Sequence, residues 1–89
     1  MNVVFDKSFN KSIDKIRDIK VKERIIKIII SVENADNVEI IPQVKKMRGW
    51  QNYYRIKFGD YRIGIELETN NTIRFIIAAH RKDIYRNFP

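Results

Sequence analysis

The chain has 89 residues, of which 44% are hydrophobic and 33% charged, as is typical of one globular domain spanning residues 1–89 rather than a disordered segment. With no cysteine and one histidine, it can form neither a disulfide framework nor a cluster of thiolate or imidazole metal ligands. No apolar run approaches the ~20 residues of a membrane span. Residues 1–6 lack signal-peptide features, so we expect a cytosolic protein with no membrane partner.

The formal net charge of +7 is distributed unevenly along the chain. Residues 1–42 carry 8 Lys and Arg against 7 Asp and Glu, whereas residues 43–89 carry 10 against 4. The second half therefore holds most of the excess positive charge. Because a basic surface attracts polyanions, this half is predicted to contact nucleic acid or an acidic protein.

The first half predicts a short strand followed by two helices. Residues 3–5 are apolar, and Asp6 after them is a suitable N-cap for a helix. Phe9, Ile13 and Ile16 recur at helical spacing and define one apolar face.

The second helix is predicted over about residues 21–32, before a loop at residues 34–37. Its apolar stripe is wider than a surface helix needs, because Ile26 and Ile30 extend it. Two interpretations stay open. We favour a second packing face inside the domain, and the alternative is a groove or a surface for a partner.

A basic segment follows Pro42 and ends in Trp50, the only tryptophan. The segment contains Lys45, Lys46 and Arg48. In a domain of this size a lone tryptophan often closes the core. We therefore expect Trp50 to be a core or hinge anchor rather than a platform for base stacking.

Three short strands are predicted at about residues 52–58, 61–68 and 72–79, forming an antiparallel meander. Gly59 and Asp60 between the first two fit a two-residue hairpin turn, with glycine at the position that needs a positive φ. The turn sets the pairing of the two strands on either side of it.

This hairpin brings like charges together, because it pairs Lys57 with Arg62 and Arg55 with Gly64. Like charges directly opposite each other repel, and folded proteins normally avoid the arrangement. The cations therefore indicate a site for an anion, and Gly64 leaves the backbone open to a close approach. The alternative is a solvated strand face with its long side chains splayed apart.

The apolar faces of the second and third strands lie on the same side of the sheet only if the loop between them has an odd number of residues. A three-residue loop at residues 69–71 meets this condition. In that register Glu66 opposes and neutralises Arg74, while Arg62 opposes Ala78. The cationic face then continues to the end of the last strand. The side chains expected to converge on one concave surface are Arg55, Lys57, Arg62 and His80.

Two motifs and the order of elements resemble the RelE/ParE superfamily of toxins from toxin–antitoxin systems, and most closely its RelE-like branch. The motifs are Tyr-Arg-Ile-Lys-Phe-Gly-Asp-Tyr-Arg at residues 54–62 and His-Arg-Lys-Asp-Ile-Tyr at residues 80–85. The resemblance covers nearly the whole chain. It implies an α+β fold, in which an N-terminal helical hairpin packs on a mixed, mainly antiparallel four-stranded sheet, with a short C-terminal helical turn.

The resemblance also implies cleavage of messenger RNA in the ribosomal A site, through attack of a ribose 2′-OH and without a metal or other cofactor. Its implied partners are the ribosome, mRNA and a cognate antitoxin with an acidic or amphipathic segment. The toxin alone would be a monomer and would form a heteromer with the antitoxin. One alternative is a ParE-like toxin that inhibits DNA gyrase without catalysis. Another is a degenerate toxin that has lost its activity.

The positions that match the family's catalytic set are Arg55, Lys57, Arg62, Arg81 and Tyr85, with His80 as a further candidate. Arg62 and Arg81 suit the stabilisation of a phosphorane. Lys57 or His80 could transfer a proton, and Tyr85 is better suited to stacking on a base. Arg55 departs from the lysine that is common at its position. The residues expected to bind RNA are Lys45, Lys46, Arg48 and Lys82. A converged cation cluster favours the nuclease, because a pure gyrase inhibitor has no need of one.

Overall fold

The computed structural model describes residues 1–89 as a five-stranded sheet with two helices on one face and a short C-terminal helix. The strands are β1 (Asn2–Phe5), β2 (Val44–Lys46), β3 (Tyr53–Phe58), β4 (Tyr61–Glu68) and β5 (Thr72–His80). The helices are α1 (Lys7–Lys15), α2 (Ile19–Asn34) and α3 (Ile84–Asn87), with a 3₁₀ turn at Val38–Ile40. The sheet order is β1-β5-β4-β3-β2, in which β1 and β5 are parallel and all other neighbours antiparallel. No helix has the length and apolar character that crossing a membrane requires.

These elements confirm the predicted α+β class, with its helical hairpin, antiparallel meander and short C-terminal helix. The sheet has five strands rather than four, because β2 adds an edge beside β3. Three residues with one apolar side chain give too short a pattern for sequence analysis to detect. Helix α2 is longer than predicted, and the Asp18 carboxylate caps its start by accepting the Lys20 N–H at 2.9 Å.

The main core lies between the two long helices and the sheet and contains 14 buried residues. Phe9 of α1 and Ile25 and Val32 of α2 enter it from the helical side. The rings of Phe5, Phe9 and Phe75 contact one another with centroids 5.4–5.7 Å apart, which ties α1 to β1 and β5. The helix-facing side of the sheet is therefore apolar, and its opposite face is left for polar side chains.

The hairpin of β3 and β4 has the predicted register. Gly59 adopts a φ of +55°, which the first position of its turn requires. Lys57 lies opposite Arg62, and Arg55 lies opposite Gly64. The two like charges that a ladder normally avoids are therefore adjacent in the folded chain.

A β-bulge interrupts the pairing of β4 with β5. Ile65 pairs with Phe75, whereas Gly64 pairs with Ile77, so Ile76 is an extra residue on β5. Beyond the bulge the alternation of side chains between the two faces is reversed. A run of apolar residues around the bulge hides it in the sequence, because either parity places apolar side chains on the core side.

The reversed alternation overturns two predictions. Arg62 lies opposite Ala79 rather than Ala78. His80 lies opposite Tyr61 on the helix-facing side, where the two rings meet edge to face with centroids 5.7 Å apart. His80 therefore does not share a face with Arg62, and the predicted convergence of four side chains on one surface is wrong.

The C-terminal segment packs on the sheet face that the long helices leave open. Ile84 is fully buried and Phe88 is 3% exposed, and both lie outside the main core. The Phe88 ring covers Gly64 and meets Tyr53 edge to face at 5.6 Å between centroids. The chain's own C-terminus therefore fills the open backbone at Gly64, where we had expected an anion.

Gly64→Ala should destabilise the protein by about 1–3 kcal/mol, the usual cost of overpacking. A Cβ at this position would lie 2.7 Å from carbon atoms of the Phe88 ring, which must then shift. Urea denaturation measures the loss, and hydrogen exchange of residues 81–89 should rise with it.

The control is the same substitution in a Phe88→Ala background, where the methyl group has room. There Gly64→Ala should be neutral or stabilising by about 0.5–1 kcal/mol, because glycine inside a strand is unfavourable. An equal loss of stability in both backgrounds would contradict the proposed contact.

Candidate functional site

The sheet face opposite α1 and α2, here called the outer face, carries the cations of the hairpin. Lys45, Arg55 and Gly64 form one row across β2, β3 and β4, and Lys57 and Arg62 form the next. Alternate residues of a strand share a face, so both rows lie on the outer face. The structure therefore brings Arg55, Lys57 and Arg62 together, as the sequence predicted.

Arg62 is folded back on the hairpin turn. Its Nη1 donates hydrogen bonds to the Gly59 carbonyl at 3.0 Å and to the Tyr61 carbonyl at 2.9 Å. No carboxylate forms an ion pair with it. Two carbonyls thus orient the guanidinium while its charge remains available to an anion.

Arg81 reaches the same turn from the end of β5. Its backbone N–H donates to the Asp60 carbonyl at 2.7 Å, and its Nε lies 3.8 Å from Asp60 Oδ1. The two side chains are 58% and 69% exposed, so this ion pair is weak and solvated. We call Lys57, Arg62 and Arg81 the turn cluster. Sequence analysis assigned Asp60 only to the turn and missed its contact with Arg81.

Arg55 leans away from the turn toward β2. Its Nη1 donates to the Gln43 carbonyl at 3.3 Å, and the same oxygen accepts the Lys57 N–H at 3.1 Å. Lys45 lies directly opposite Arg55 on the neighbouring strand and is exposed. A second pair of like charges therefore extends the cationic surface from β3 to the edge of the sheet.

Arg74 is neutralised, as predicted, but by a different carboxylate. Glu66 lies opposite it, yet the hydrogen bond goes to Glu68, whose Oε2 is 2.8 Å from the Arg74 Nε. Asp6 adds a longer contact of 3.7 Å between its Oδ1 and Arg74 Nη1. The hydrogen bond that Arg74 donates to Glu68, together with the negative charge of that carboxylate, raises the pKa of Arg74 above its ordinary value. Diagonal neighbours on one face are within reach of long side chains, which strand pairing alone cannot reveal.

His80 lies at the end of β5 beside a cleft of about 410 Å³ between α1 and α3. Its Nδ1 accepts the Lys82 N–H at 3.2 Å, and its ring rests against Tyr61. Lys15 and Asp83 line the same cleft. The imidazole therefore belongs to a different surface from the turn cluster.

The basic residues predicted to bind RNA lie at opposite ends of the hairpin. Lys45, Lys46 and Arg48 lie at the end where β2 leads into β3, whereas Lys82 follows β5 near the turn cluster. Six residues of β3 separate the two ends, a length of roughly 20 Å. Tyr85 of α3 is 56% exposed, and its helix packs on β4 and β5.

Trp50 is not a core residue, so the expectation that it anchors the core is wrong. It is 50% exposed, and the edge-to-face contact with Tyr53 has a centroid distance of 5.8 Å. Phenylalanine and isoleucine side chains fill the core without it. Gly49 before it has a φ of +80°, which marks a turn, and this glycine is the sequence signal for an exposed loop.

The wide apolar stripe of α2 is not a second packing face. Ile26 is 57% exposed and Ile30 is 50% exposed. Ile26 borders an open apolar cleft of about 520 Å³ between α1 and α2, with Phe5 and Ile13 on its other side. This surface is therefore an accessible groove, as in the alternative interpretation of the sequence.

Comparison with known proteins adds evidence about ancestry. The family model described as the ParE toxin of the type II toxin–antitoxin system parDE matches residues 3–85. The chain is 40% identical over 90 residues to Toxin RelE3 of Methanocaldococcus jannaschii, and the match covers 100% of both chains. The crystal structure of a RelB–RelE antitoxin–toxin complex from Methanococcus jannaschii contains a similar chain, with a TM-score of 0.80 and 38% identity. That match covers 97% of this chain and 99% of the other.

Two more distant structures share the fold alone. One is the toxin–antitoxin complex RelBE2 from Mycobacterium tuberculosis, with a TM-score of 0.60 and 18% identity; the match covers 90% of this chain and 96% of the other. The other is the E. coli DinJ–YafQ complex, with a TM-score of 0.64 and 12% identity; the match covers 94% of this chain and 97% of the other.

The family is shown by two findings that agree with the motifs. One is a family model that spans nearly the whole chain, and the other is a full-length relative at 40% identity. The chain therefore belongs to the RelE/ParE superfamily of toxins from type II toxin–antitoxin systems.

Proposed function

We propose that this toxin is a ribosome-dependent endoribonuclease that cleaves messenger RNA in the A site and so inhibits translation. The observation that supports this most is the turn cluster. Lys57, Arg62 and Arg81 gather at one exposed turn with Asp60 as the only carboxylate paired with them. Such a concentration of positive charge suits a phosphodiester whose charge grows during reaction.

The reaction we propose is in-line attack of a ribose 2′-oxygen on the adjacent phosphorus. The new O–P bond forms as the bond from phosphorus to the 5′-oxygen breaks, leaving a 2′,3′-cyclic phosphate and a 5′-hydroxyl. One proton leaves the 2′-hydroxyl and one is delivered to the 5′-oxygen. Positioning and charge stabilisation supply most of the rate enhancement, and the ribosome supplies part of the positioning.

We assign the residues as follows. Arg62 and Arg81 bind the reacting phosphate, and the two carbonyls that hold Arg62 reduce the cost of ordering it. Lys57, exposed beside Arg62, is the candidate for proton transfer, because lysine gives up a proton more readily than arginine. Tyr85 stacks on a base near the cleavage site. His80 has no role in this assignment, since it faces the other side of the sheet.

The second set of basic residues binds RNA away from the reaction. Arg55 and Lys45 continue the outer face toward the edge strand, and Lys46 and Arg48 follow at its end. Phosphate contacts of this kind position a strand without reading its sequence. Lys82 would contact RNA on the other side of the turn cluster.

We further propose that a separately encoded antitoxin neutralises the protein by forming a heteromeric complex with it. Without the antitoxin, the toxin would be a monomer. The similar chain from Methanococcus jannaschii was crystallised as an antitoxin–toxin complex. An acidic segment suits the exposed cations, and an amphipathic helix suits the open cleft beside Ile26.

A second candidate function is inhibition of DNA gyrase without catalysis. The match of residues 3–85 to a ParE toxin model favours it, because that name belongs to the other main branch of the superfamily. The two functions differ in their products. Only the nuclease leaves cut RNA, so a direct assay separates them.

Purified protein should cut a message bound to translating ribosomes and leave a 5′-hydroxyl, while naked RNA should be cut weakly. Because the site has few acid–base groups, cleavage should depend on the ribosome to orient the substrate. Primer extension locates the cut, and resistance of the 5′ end to direct ligation identifies the hydroxyl. If the messages stay intact and the protein inhibits supercoiling by gyrase, the ParE-like function is correct and the nuclease is wrong.

Arg62→Ala and Arg81→Ala should each slow single-turnover cleavage by about 10²–10³-fold, the usual loss when a donor to the transition state is removed. Arg74→Ala is the matched control. It removes an arginine of the same sheet face whose charge is already satisfied by Glu68, so the rate should stay within a few-fold of wild type. A loss from Arg74→Ala as large as that from Arg62→Ala would show that the reacting phosphate lies elsewhere on the outer face.

A further inference from the structure

Trp50 is the only large aromatic side chain on the loop between β2 and β3, and it is half exposed. Its indole is held from one side. Tyr53 meets it edge to face, and Phe88 in turn meets Tyr53 at 5.6 Å between centroids. The position is therefore fixed by packing, while the rest of the indole is accessible to a ligand.

The backbone around this indole is also ordered by hydrogen bonds. Met47 N–H donates to the Tyr53 carbonyl at 2.8 Å, and Trp50 N–H donates to the Met47 carbonyl at 3.3 Å. A Cβ built on Gly49 would meet nothing within 4 Å, so the approach beside the indole is open. A preorganised aromatic surface loses little conformational freedom on binding.

The charge around the indole has one sign. No Asp or Glu occurs between residues 40 and 59. Lys46 and Arg48 line a shallow cleft of about 480 Å³ with Trp50. The five cations of this stretch are Lys45, Lys46, Arg48, Arg55 and Lys57. A ligand that matches this surface must carry repeated negative charge and a flat apolar group.

We propose that Trp50 is a base-stacking platform for single-stranded RNA, with Lys46 and Arg48 binding the phosphates on either side of the stacked base. Single-stranded RNA offers both required features, and aromatic side chains between cations are the usual means of binding it. A polyanion without rings, such as a run of glutamates, would satisfy the cations but would leave the indole without a flat partner.

This site deepens the proposed nuclease function and rests on it for its biological role. The row of Lys45 and Arg55 connects it to the turn cluster at the other end of β3, roughly 20 Å away. A message bound along this path would have one base stacked on Trp50 several nucleotides from the phosphate at Arg62. The stacked base therefore sets the register of the strand and does not touch the reacting atoms.

The chain has one tryptophan, so its fluorescence reports on this site directly. Single-stranded RNA of about 8 nucleotides, within the range that single modules bind, should quench it on titration at low salt. Inorganic polyphosphate of the same total charge is the control probe. It should compete for the cations without quenching the indole, because it has no bases.

Substitutions separate stacking from charge, with binding followed by the anisotropy of labelled RNA. Trp50→Ala should weaken binding about 10-fold, which is 1.4 kcal/mol and within the usual range for one stacked base. Trp50→Phe should recover most of that loss. Arg48→Ala should reduce the slope of log K against log salt by about 1, whereas Lys20→Ala, at an exposed position on α2, should leave it unchanged.

Binding of RNA by Trp50→Ala as tight as by the wild type would overturn the platform, provided that circular dichroism shows a folded protein. Equal quenching by polyphosphate and RNA would also overturn it, as would Trp50-dependent binding of polyglutamate in place of RNA. Because binding is measured without ribosomes, the two proposals fail separately. Cleavage on ribosomes without Trp50-dependent binding removes only the platform, and Trp50-dependent binding without cleavage removes only the nuclease.

Discussion

The register of β4 between its two neighbours is the constraint on which the site depends. Ile63 and Ile65 are completely buried on the helix-facing side, so a shift of one residue would move both into water and drive charges into the core. Holding them in place sets Arg62 on the outer face beside Lys57. The folded state keeps this register because burial of the two isoleucines stabilises it by more than the repulsion between the two cations destabilises it.

The pairing of β4 with β5 decides which polar residues lie on each face of the sheet. The bulge at Ile76 turns His80 toward the helices while leaving Arg62 on the outer face. The same change brings the end of β5 to the hairpin turn, where Arg81 binds the Asp60 carbonyl. One extra residue thus removes a histidine from the cationic surface and adds an arginine.

The outer face combines unneutralised charge with packed aromatic groups. Phe88 closes over Gly64 and supports Tyr53, which in turn supports Trp50. This chain of contacts joins the C-terminal segment to the loop at the far end of the hairpin. Cations at both ends remain exposed, and a bound polyanion would relieve their mutual repulsion.

The sequence by itself determined the helical hairpin, the meander and the pairing of Lys57 with Arg62, because helical spacing, strand alternation and a Gly59–Asp60 turn are local signals. It also carried the motifs that identify the superfamily. Only the tertiary structure decided the partner of Arg74, the face of His80 and the exposure of Trp50. The first two depend on diagonal reach between strands and on a bulge hidden in an apolar run, and neither has a local pattern. Gly49 signals a loop beside Trp50, but whether the indole closes the core depends on how the other side chains fill it.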